Sequence, residues 1–207
     1  MRLFRHSAIR SFGYSIMLFF LSCTSQHSVI EGTLPDDQYD NETVYWVPFT
    51  DASPQTVDST HIRKNTFRLE VSKYNRNKMG IVRVKPHFRP FLQEILVFTE
   101  AGTVQVKLDT FSSASGTPLN GTLQNWKNRK RQFDREVSAL RVKQQSAATG
   151  DEAMIRAEIE QATDSYYDDV FQMVWDNQNN EIGKFIYMQH KTSFTTKQNS
   201  ILEELIN

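Results

Sequence analysis

The sequence predicts an α+β fold, with an antiparallel β-sandwich or open barrel over residues 28–114 and a helical region packed on it over residues 115–207. Three observations predict it. Apolar residues recur with period two from 28 to 111, Gly116 and Pro118 then interrupt the pattern, and apolar residues at steps of three and four follow. We expect an antiparallel helical hairpin and two short helices in the second part.

The composition indicates a globular chain and argues against nucleic-acid binding. Of the 207 residues, 39% are hydrophobic and 12% aromatic, which is enough to form a core. The 24 basic and 24 acidic residues give a formal net charge of zero. Because no overall field would attract a polyanion, we expect no nucleic acid as a partner.

The first 22 residues have the form of a lipoprotein-type signal peptide. Arg2, Arg5 and Arg10 precede an uncharged apolar run at 14–21, which is short for a membrane span. The run ends at Ser22 and Cys23, the single cysteine of the chain. The arrangement resembles a bacterial lipoprotein signal, so we predict lipidation of Cys23 and a polar tether at 23–27. The alternative is a signal cut elsewhere, or a cysteine that merely lies in an apolar run.

The cysteine therefore predicts the location of the protein. A lipid on Cys23 would hold the chain on a membrane of the cell envelope, facing the periplasm, with the choice between inner and outer membrane left open. A lone cysteine also excludes an internal disulfide.

The first half contains about six or seven short segments with strand character. Val44 and Trp46 share one face of an aromatic-rich segment whose other face carries Tyr45, Val47 and Phe49. The alternating segments lie at 29–30, 43–49, 57–62, 67–71, 80–84, 95–98 and 104–108. With no helix between them, they favour an antiparallel sandwich or open barrel.

Two turns are predicted between these segments. Lys64 and Asn65 separate the third and fourth segments, and Glu100, Ala101 and Gly102 separate the last two. We expect the second turn to close a β-hairpin between 95–98 and 104–108.

Helical signals begin at the junction. Thr117 is a candidate N-cap before Pro118, whose missing N–H costs nothing at the first helical position. One helix is predicted to run to about 145 and a second from about 151 to 175, with shorter helices at about 181–189 and 196–206. The first two carry apolar stripes on one face.

The two predicted long helices carry opposite charges. Residues 116–145 are mainly basic and residues 150–170 mainly acidic. Arg129, Lys130 and Arg131 are therefore candidates for contact with an anionic surface such as lipid or glycan. The alternative, which we favour, is that the basic helix faces the acidic one across the hairpin.

The sequence does not predict a metal or cofactor site. No two of the five histidines (His6, His27, His61, His87 and His190) have helical i, i+3 or i, i+4 spacing. Asp36, Asp37, Asp40 and Glu42 could supply calcium ligands, but they lack the spacing of a known calcium loop, so we expect a solvated turn. We expect no cofactor, no metal and no catalytic residue.

Asp58, Ser59, Thr60 and His61 place a carboxylate, hydroxyls and an imidazole side by side. Neighbours in a strand point to opposite faces, so this adjacency argues against a catalytic triad and for structural residues at a strand start. The same residues match a short signal for periplasmic O-glycosylation in Bacteroides-type bacteria, which makes Ser59 a candidate acceptor.

The order of these features resembles a known domain family. The residues that carry the likeness lie at 57–60, 66–69, 100–102, 115–120 and 177–183, within a span from 28 to 207. The chain resembles the N-terminal domain of unknown function that precedes the thioredoxin-like domain in Bacteroidetes lipoproteins of the disulfide-reductase type. In that family the redox motif Trp-Cys-x-x-Cys belongs to the following domain. The present sequence ends where that domain would begin, so no catalytic residue is carried over.

Three functional hypotheses follow. The first is a non-enzymatic, membrane-anchored binding or interaction module of the cell envelope. The second is an accessory or truncated component of a periplasmic thiol–disulfide system, with a separate thioredoxin-like protein as partner. The third is direct anionic binding by Arg129, Lys130 and Arg131, which requires all three to be exposed and away from the second long helix.

Overall fold

The computed structural model describes residues 27–148 and 150–206, apart from the side chain of His87. The predicted signal peptide and Cys23 lie outside these residues. The described strands are β1 (Ser28–Thr33), β2 (Thr43–Pro48), β3 (Asp58–His61), β4 (Thr66–Glu70), β5 (Met79–Arg83), β6 (Ile95–Phe98), β7 (Gly102–Lys107) and β8 (Ser113–Ser115). The helices are α1 (Pro118–Gln145), α2 (Glu152–Asp176), α3 (Glu181–His190) and α4 (Thr196–Ile206).

The strands form two four-stranded sheets, and the predicted α+β fold is confirmed. The first sheet has the order β4-β1-β7-β8 and the second the order β3-β2-β5-β6. The sheets face each other as an open sandwich rather than a closed barrel. Its core includes Ile30, Trp46, Leu69, Val82 and Val104, of which none is more than 1% exposed.

The sheets are not wholly antiparallel. Strands β1 and β7 pair in parallel, from Ser28 opposite Gly102 to Thr33 opposite Lys107, whereas every other pairing between the described strands is antiparallel. A parallel pair requires a long crossover, which here consists of all the strands between β1 and β7.

The predicted hairpin between the sixth and seventh segments is wrong. Strand β6 pairs with β5 in the second sheet, whereas β7 pairs with β1 and β8 in the first. Glu100, Ala101 and Gly102 therefore carry the chain from one sheet to the other. The local pattern could not distinguish this link from a hairpin, because both need a short polar turn with a glycine at positive φ, here +112° at Gly102.

The predicted turn at Lys64 and Asn65 is confirmed. Both residues have positive φ, 51° and 60°, and Arg63 pairs with Thr66 across the turn. The carboxylate of Asp40 accepts hydrogen bonds from both turn amides, at 2.8 and 2.9 Å. This turn joins β3 to β4 and so closes one flank of the sandwich.

Helix α1 closes the other flank. Strands β6 and β8 are the edges of the two sheets on that side, and edge strands present backbone groups that need partners. Three polar residues of α1 at positions i, i+4 and i+7 supply hydrogen-bond partners for these backbone groups. The Asn120 side chain bonds the N–H and C=O of Phe98, Gln124 accepts from the Ala114 N–H at 3.0 Å, and Lys127 donates to the Leu96 carbonyl at 3.1 Å.

The start of α1 is capped from another element. The Glu100 carboxylate accepts hydrogen bonds from the N–H groups of Leu119 and Asn120, at 2.8 and 3.3 Å. Thr117 is the N-cap residue before Pro118, as predicted, but its side chain makes no capping hydrogen bond, because its hydroxyl accepts a hydrogen bond from the Asn120 side-chain amide at 2.8 Å. A carboxylate at this end is also favoured by the helix dipole.

The helices form a second core against the outer face of the second sheet. Leu123 and Trp126 of α1, Val170 and Val174 of α2, and Ile186 of α3 are among its buried residues. They pack over Phe98, with Leu96 and Met79 alongside. The helices thus cover one end of that face and leave the other end open.

Candidate functional site

The uncovered end of the second sheet is a groove of about 540 Å³. Its floor is apolar and includes Tyr45 and Val47 of β2 together with Pro54 and Val57 of the segment that leads into β3. Tyr45 and Val47 alternate along β2 with the buried Val44 and Trp46, so they point away from the sandwich core. The groove exists because β2 has apolar residues on both faces and the helices reach only one end of the sheet.

The opposite wall of the groove is cationic. Arg83, Lys85 and Arg89 line it, and their side chains are 35%, 46% and 45% exposed. Lys85 pairs with Glu42 at 2.6 Å, whereas Arg83 and Arg89 share Glu94 at 3.9 and 2.8 Å. The hydrogen bond from Lys85 to Glu42 raises the pKa of that lysine, which keeps it charged.

Three cations against two carboxylates leave the wall with one positive charge in excess. An apolar floor beside a cationic wall favours ligands that combine apolar and acidic groups. What this arrangement offers chemically is a surface for binding.

Ser59 lies at the edge of this groove. It is exposed on β3, the edge strand of the second sheet, directly opposite Tyr45. The candidate O-glycosylation residue is therefore on the surface, and any glycan on it would project beside the groove.

Its neighbours have structural contacts. The Asp58 carboxylate accepts hydrogen bonds from the Ser72 N–H and the Asn75 amide, each at 2.9 Å. His61 lies at the far end of β3, with Nδ1 3.4 Å from the hydroxyl of Thr43. The structure thus does not bring the carboxylate and the imidazole together.

The acidic residues at 36–42 also make structural contacts. Asp36 accepts from the Gln38 N–H at 3.1 Å, Asp40 holds the β3–β4 turn, and Glu42 pairs with Lys85. Within residues 27–148 and 150–206, no group of three or more His, Cys, Asp or Glu residues is placed to hold a metal ion.

Arg129, Lys130 and Arg131 do not form one free cationic surface. Arg129 pairs with Asp169 of α2 at 2.6 Å and lies over the Tyr166 ring. Lys130 pairs with Asp134 in its own helix at 2.7 Å, and Arg131 lies over the ring of Phe111. The hypothesis of direct anionic binding required all three to stay away from α2, and Arg129 does not meet that condition.

The charge complementarity between the long helices is confirmed in part. Besides the Arg129–Asp169 pair, Lys143 of α1 lies 3.3 Å from Glu158 of α2. The second pair is exposed and contributes little energy, but both are consistent with the antiparallel arrangement of the helices.

A buried histidine joins three helices, and the sequence analysis did not identify it. His190, at the end of α3, is 8% exposed. Its Nε2 accepts a hydrogen bond from Trp126 Nε1 at 3.1 Å and lies 3.3 Å from the hydroxyl of Tyr166. Burial, assisted by the charge of Lys130, lowers the pKa of His190, and burial raises the pKa of Tyr166 to about 12. The cluster therefore holds a neutral imidazole against two aromatic side chains.

The groove residues were also missed by sequence reasoning. A signal for them was present, since residues 71–93 contain six basic residues and no acidic one. That stretch contributes Arg83, Lys85 and Arg89, and also a second group of cations, Lys73, Arg76 and Lys78.

Comparison with known proteins identifies one region. The family model described as "Domain of unknown function (DUF4369)" matches residues 28–123, which include all eight described strands and the first turns of α1. No curated protein and no solved structure matches the chain. The match supports the resemblance to a domain of unknown function over the sandwich. Within the described part of the chain, every helix is too short or too polar to cross a membrane.

Proposed function

We propose that this protein is a non-enzymatic, lipid-anchored module of the cell envelope that binds an acidic, partly apolar segment of another envelope protein. The observation that carries the proposal is the groove on the second sheet, with Tyr45, Val47 and Val57 on its floor and a cationic wall. The sequence supports the location through the signal-like N-terminus and Cys23.

An extended polypeptide is the occupant that fits the groove best. The groove lies on the outer face of the second sheet beside β2 and β3, and an open apolar groove on a sheet can receive an extended segment. Apolar side chains of the peptide would cover Tyr45 and Val47, and acidic side chains would meet Arg83 and Arg89. The excess positive charge of the wall supplies the preference for acidic residues.

Photo-crosslinking in envelope preparations tests this. A photoreactive phenylalanine analogue at Tyr45 should cross-link to an acidic segment of one protein, identified by mass spectrometry of the joined peptides. The same analogue at Phe111, which is 69% exposed away from the groove, should not form that cross-link.

A matched pair of variants gives the control. Val57→Glu places a negative charge on the groove floor and should abolish the cross-link, whereas Val142→Glu, at a 65% exposed position of α1, should retain it. Equal cross-linking in the two variants, or a cross-link to a basic segment, would overturn the proposal for the groove. Mass spectrometry of the residue at Cys23 tests the anchor separately.

The resemblance described in the sequence analysis favours one second candidate. The domain family that the sequence resembles precedes a thioredoxin-like domain, so the bound protein would be a separate thioredoxin-like protein and this chain an accessory of a thiol–disulfide system. The support for this candidate is the resemblance itself, and the family match at residues 28–123 supports only the domain of unknown function. If the Tyr45 cross-link leads to a protein with a Trp-Cys-x-x-Cys motif, the second candidate replaces the general one.

A further inference from the structure

The end of the sandwich where β1 begins also carries a compact loop, residues 72–78. The carbonyl of Ser28 accepts a hydrogen bond from the Val71 N–H at 3.0 Å, and that of His27 accepts from the Gly102 N–H at 3.0 Å. The chain therefore enters β1 directly beside the loop that follows β4. Any contact that fixes the position of the segment before Ser28 therefore also fixes the position of this loop.

The loop displays unpaired cations and one exposed aromatic residue. Lys73, Arg76 and Lys78 have no carboxylate within 4.0 Å among the residues that the structure describes. Tyr74 is 72% exposed, and the ammonium group of Lys73 lies 5.2 Å from the centre of its ring. This differs from α1, where Arg129 and Lys130 already have carboxylate partners.

The backbone of the loop is firmly held. Asn75 is 1% exposed, and its side-chain amide donates to the Thr56 carbonyl at 2.8 Å and to the Asp58 carboxylate at 2.9 Å. The N–H groups of Asn77 and Lys78 donate to the carbonyl and hydroxyl of Thr99, at 2.7 and 3.0 Å. The exposed Lys73 and Lys78 thus project from a fixed base, beside the half-buried Arg76.

The spacing from Cys23 limits how far this loop can lie from an anchor. Five peptide units separate Cys23 from Ser28, and a fully extended chain of that length spans at most about 18 Å. A lipid on Cys23 would therefore keep the start of β1 within about 18 Å of the membrane surface. Anionic headgroups attract basic residues within about a Debye length, roughly 10 Å.

We propose that residues 72–78 form a membrane-facing surface, with Lys73, Arg76 and Lys78 on anionic lipid headgroups and Tyr74 in the interface. The inference rests on the proposed lipid anchor at Cys23 and adds to it the side of the protein that faces the bilayer. A basic patch beside a lipid anchor is a common further contribution to membrane binding. Tyrosine is enriched at the same depth.

Spin labelling tests the orientation. The lipidated full chain has no free thiol once Cys23 carries its lipid, so Tyr74→Cys provides a single labelling site. The protein is reconstituted in vesicles of phosphatidylethanolamine and phosphatidylglycerol, and separately in phosphatidylcholine. The label should be protected from a water-soluble relaxation agent in the anionic vesicles and much less in the neutral ones. A label at Arg63→Cys, beside the β3–β4 turn at the opposite end of the sandwich, should be equally accessible in both.

Charge reversal provides the matched control. Lys73→Glu combined with Lys78→Glu, in the Tyr74→Cys background, should reduce the protected population on the order of tenfold or more. Arg63→Glu combined with Lys64→Glu changes the net charge equally at the far end and should leave that population unchanged.

The outcomes separate the two proposals. If Cys23 carries a lipid but the label at Tyr74→Cys is as accessible as that at Arg63→Cys in anionic vesicles, the orientation is wrong and the anchor stands. If mass spectrometry finds no lipid on Cys23, the anchor is wrong and the orientation fails with it.

Discussion

The side-chain amide of Asn120 makes with Phe98 both hydrogen bonds that a neighbouring strand would make. Its oxygen accepts from the Phe98 N–H at 2.9 Å, and its nitrogen donates to the Phe98 carbonyl at 2.7 Å. Asn120 is fully buried. A helix thus completes the edge of a sheet through one residue, and the sandwich and the helices depend on each other at this point.

Asn120→Ala should lower the free energy of unfolding by about 2–4 kcal/mol, because it leaves two backbone groups of Phe98 buried without partners. Urea denaturation followed by circular dichroism measures this. Asn125→Ala, at an exposed position of the same helix, should change the free energy by less than about 0.5 kcal/mol. Equal effects of the two substitutions would show that the edge contact does not stabilise the fold.

His190 should make the protein less stable at acid pH. Burial lowers its pKa, so the unfolded chain takes up a proton that the folded chain does not. The free energy of unfolding should therefore fall as the pH drops below about 6.5, the usual pKa of histidine. Denaturation midpoints between pH 7.5 and 5 test this prediction.

The pH dependence can be assigned with two variants. In His190→Gln, the fall between pH 6.5 and 5 should be smaller than in the unmodified protein, whatever the variant's stability at pH 7.5. Asn125→Ala, at an exposed position of α1 that does not titrate, should leave the dependence unchanged. If His190→Gln retains the full dependence, other groups are responsible.

Lys127 should make the folded protein more stable as the pH rises through the alkaline range. Burial, followed by the charge of Arg131, lowers the pKa of Lys127 to about 8. Between pH 8 and about 10.4 the folded chain has released this proton while the unfolded chain keeps it, so stability should rise in that range, by up to about 3 kcal/mol. The difference in unfolding free energy between the unmodified protein and Lys127→Met should show the rise. A difference that stays constant from pH 7 to 10 contradicts it.

Two glycines should respond to alanine with opposite signs. A Cβ at Gly183 would lie 2.1 Å from the Asn177 carbonyl oxygen, so Gly183→Ala should destabilise by about 2 kcal/mol or more. A Cβ at Gly121 meets nothing within 4 Å, and Gly121→Ala should stabilise α1 by up to about 1 kcal/mol. Thermal melting of both variants tests the pair, and destabilisation by Gly121→Ala would be inconsistent with this structure.

The sequence by itself determined which segments are strands and which are helices, except for the short strand β8, which no predicted segment covered. Apolar residues alternate along β2, and Leu119, Leu123 and Trp126 follow one another at steps of four and three. Such periodicity shows which face of an element is buried, and it can be read from a short stretch of sequence. The turn at Lys64 and Asn65 was equally predictable, since residues at two consecutive positive φ angles leave a local signature.

Only the tertiary structure decided how these elements meet. Asn120, Gln124 and Lys127 each lie one residue beyond an apolar residue of the α1 stripe, and nothing in their spacing shows that they complete two strand edges. The assignment of β6 and β7 to different sheets, the groove at Tyr45 and the unpaired cations at 72–78 likewise depend on residues far apart in the chain. Hydrogen bonds and ion pairs across strand edges join distant segments, whereas periodicity reports only the burial of each segment on its own.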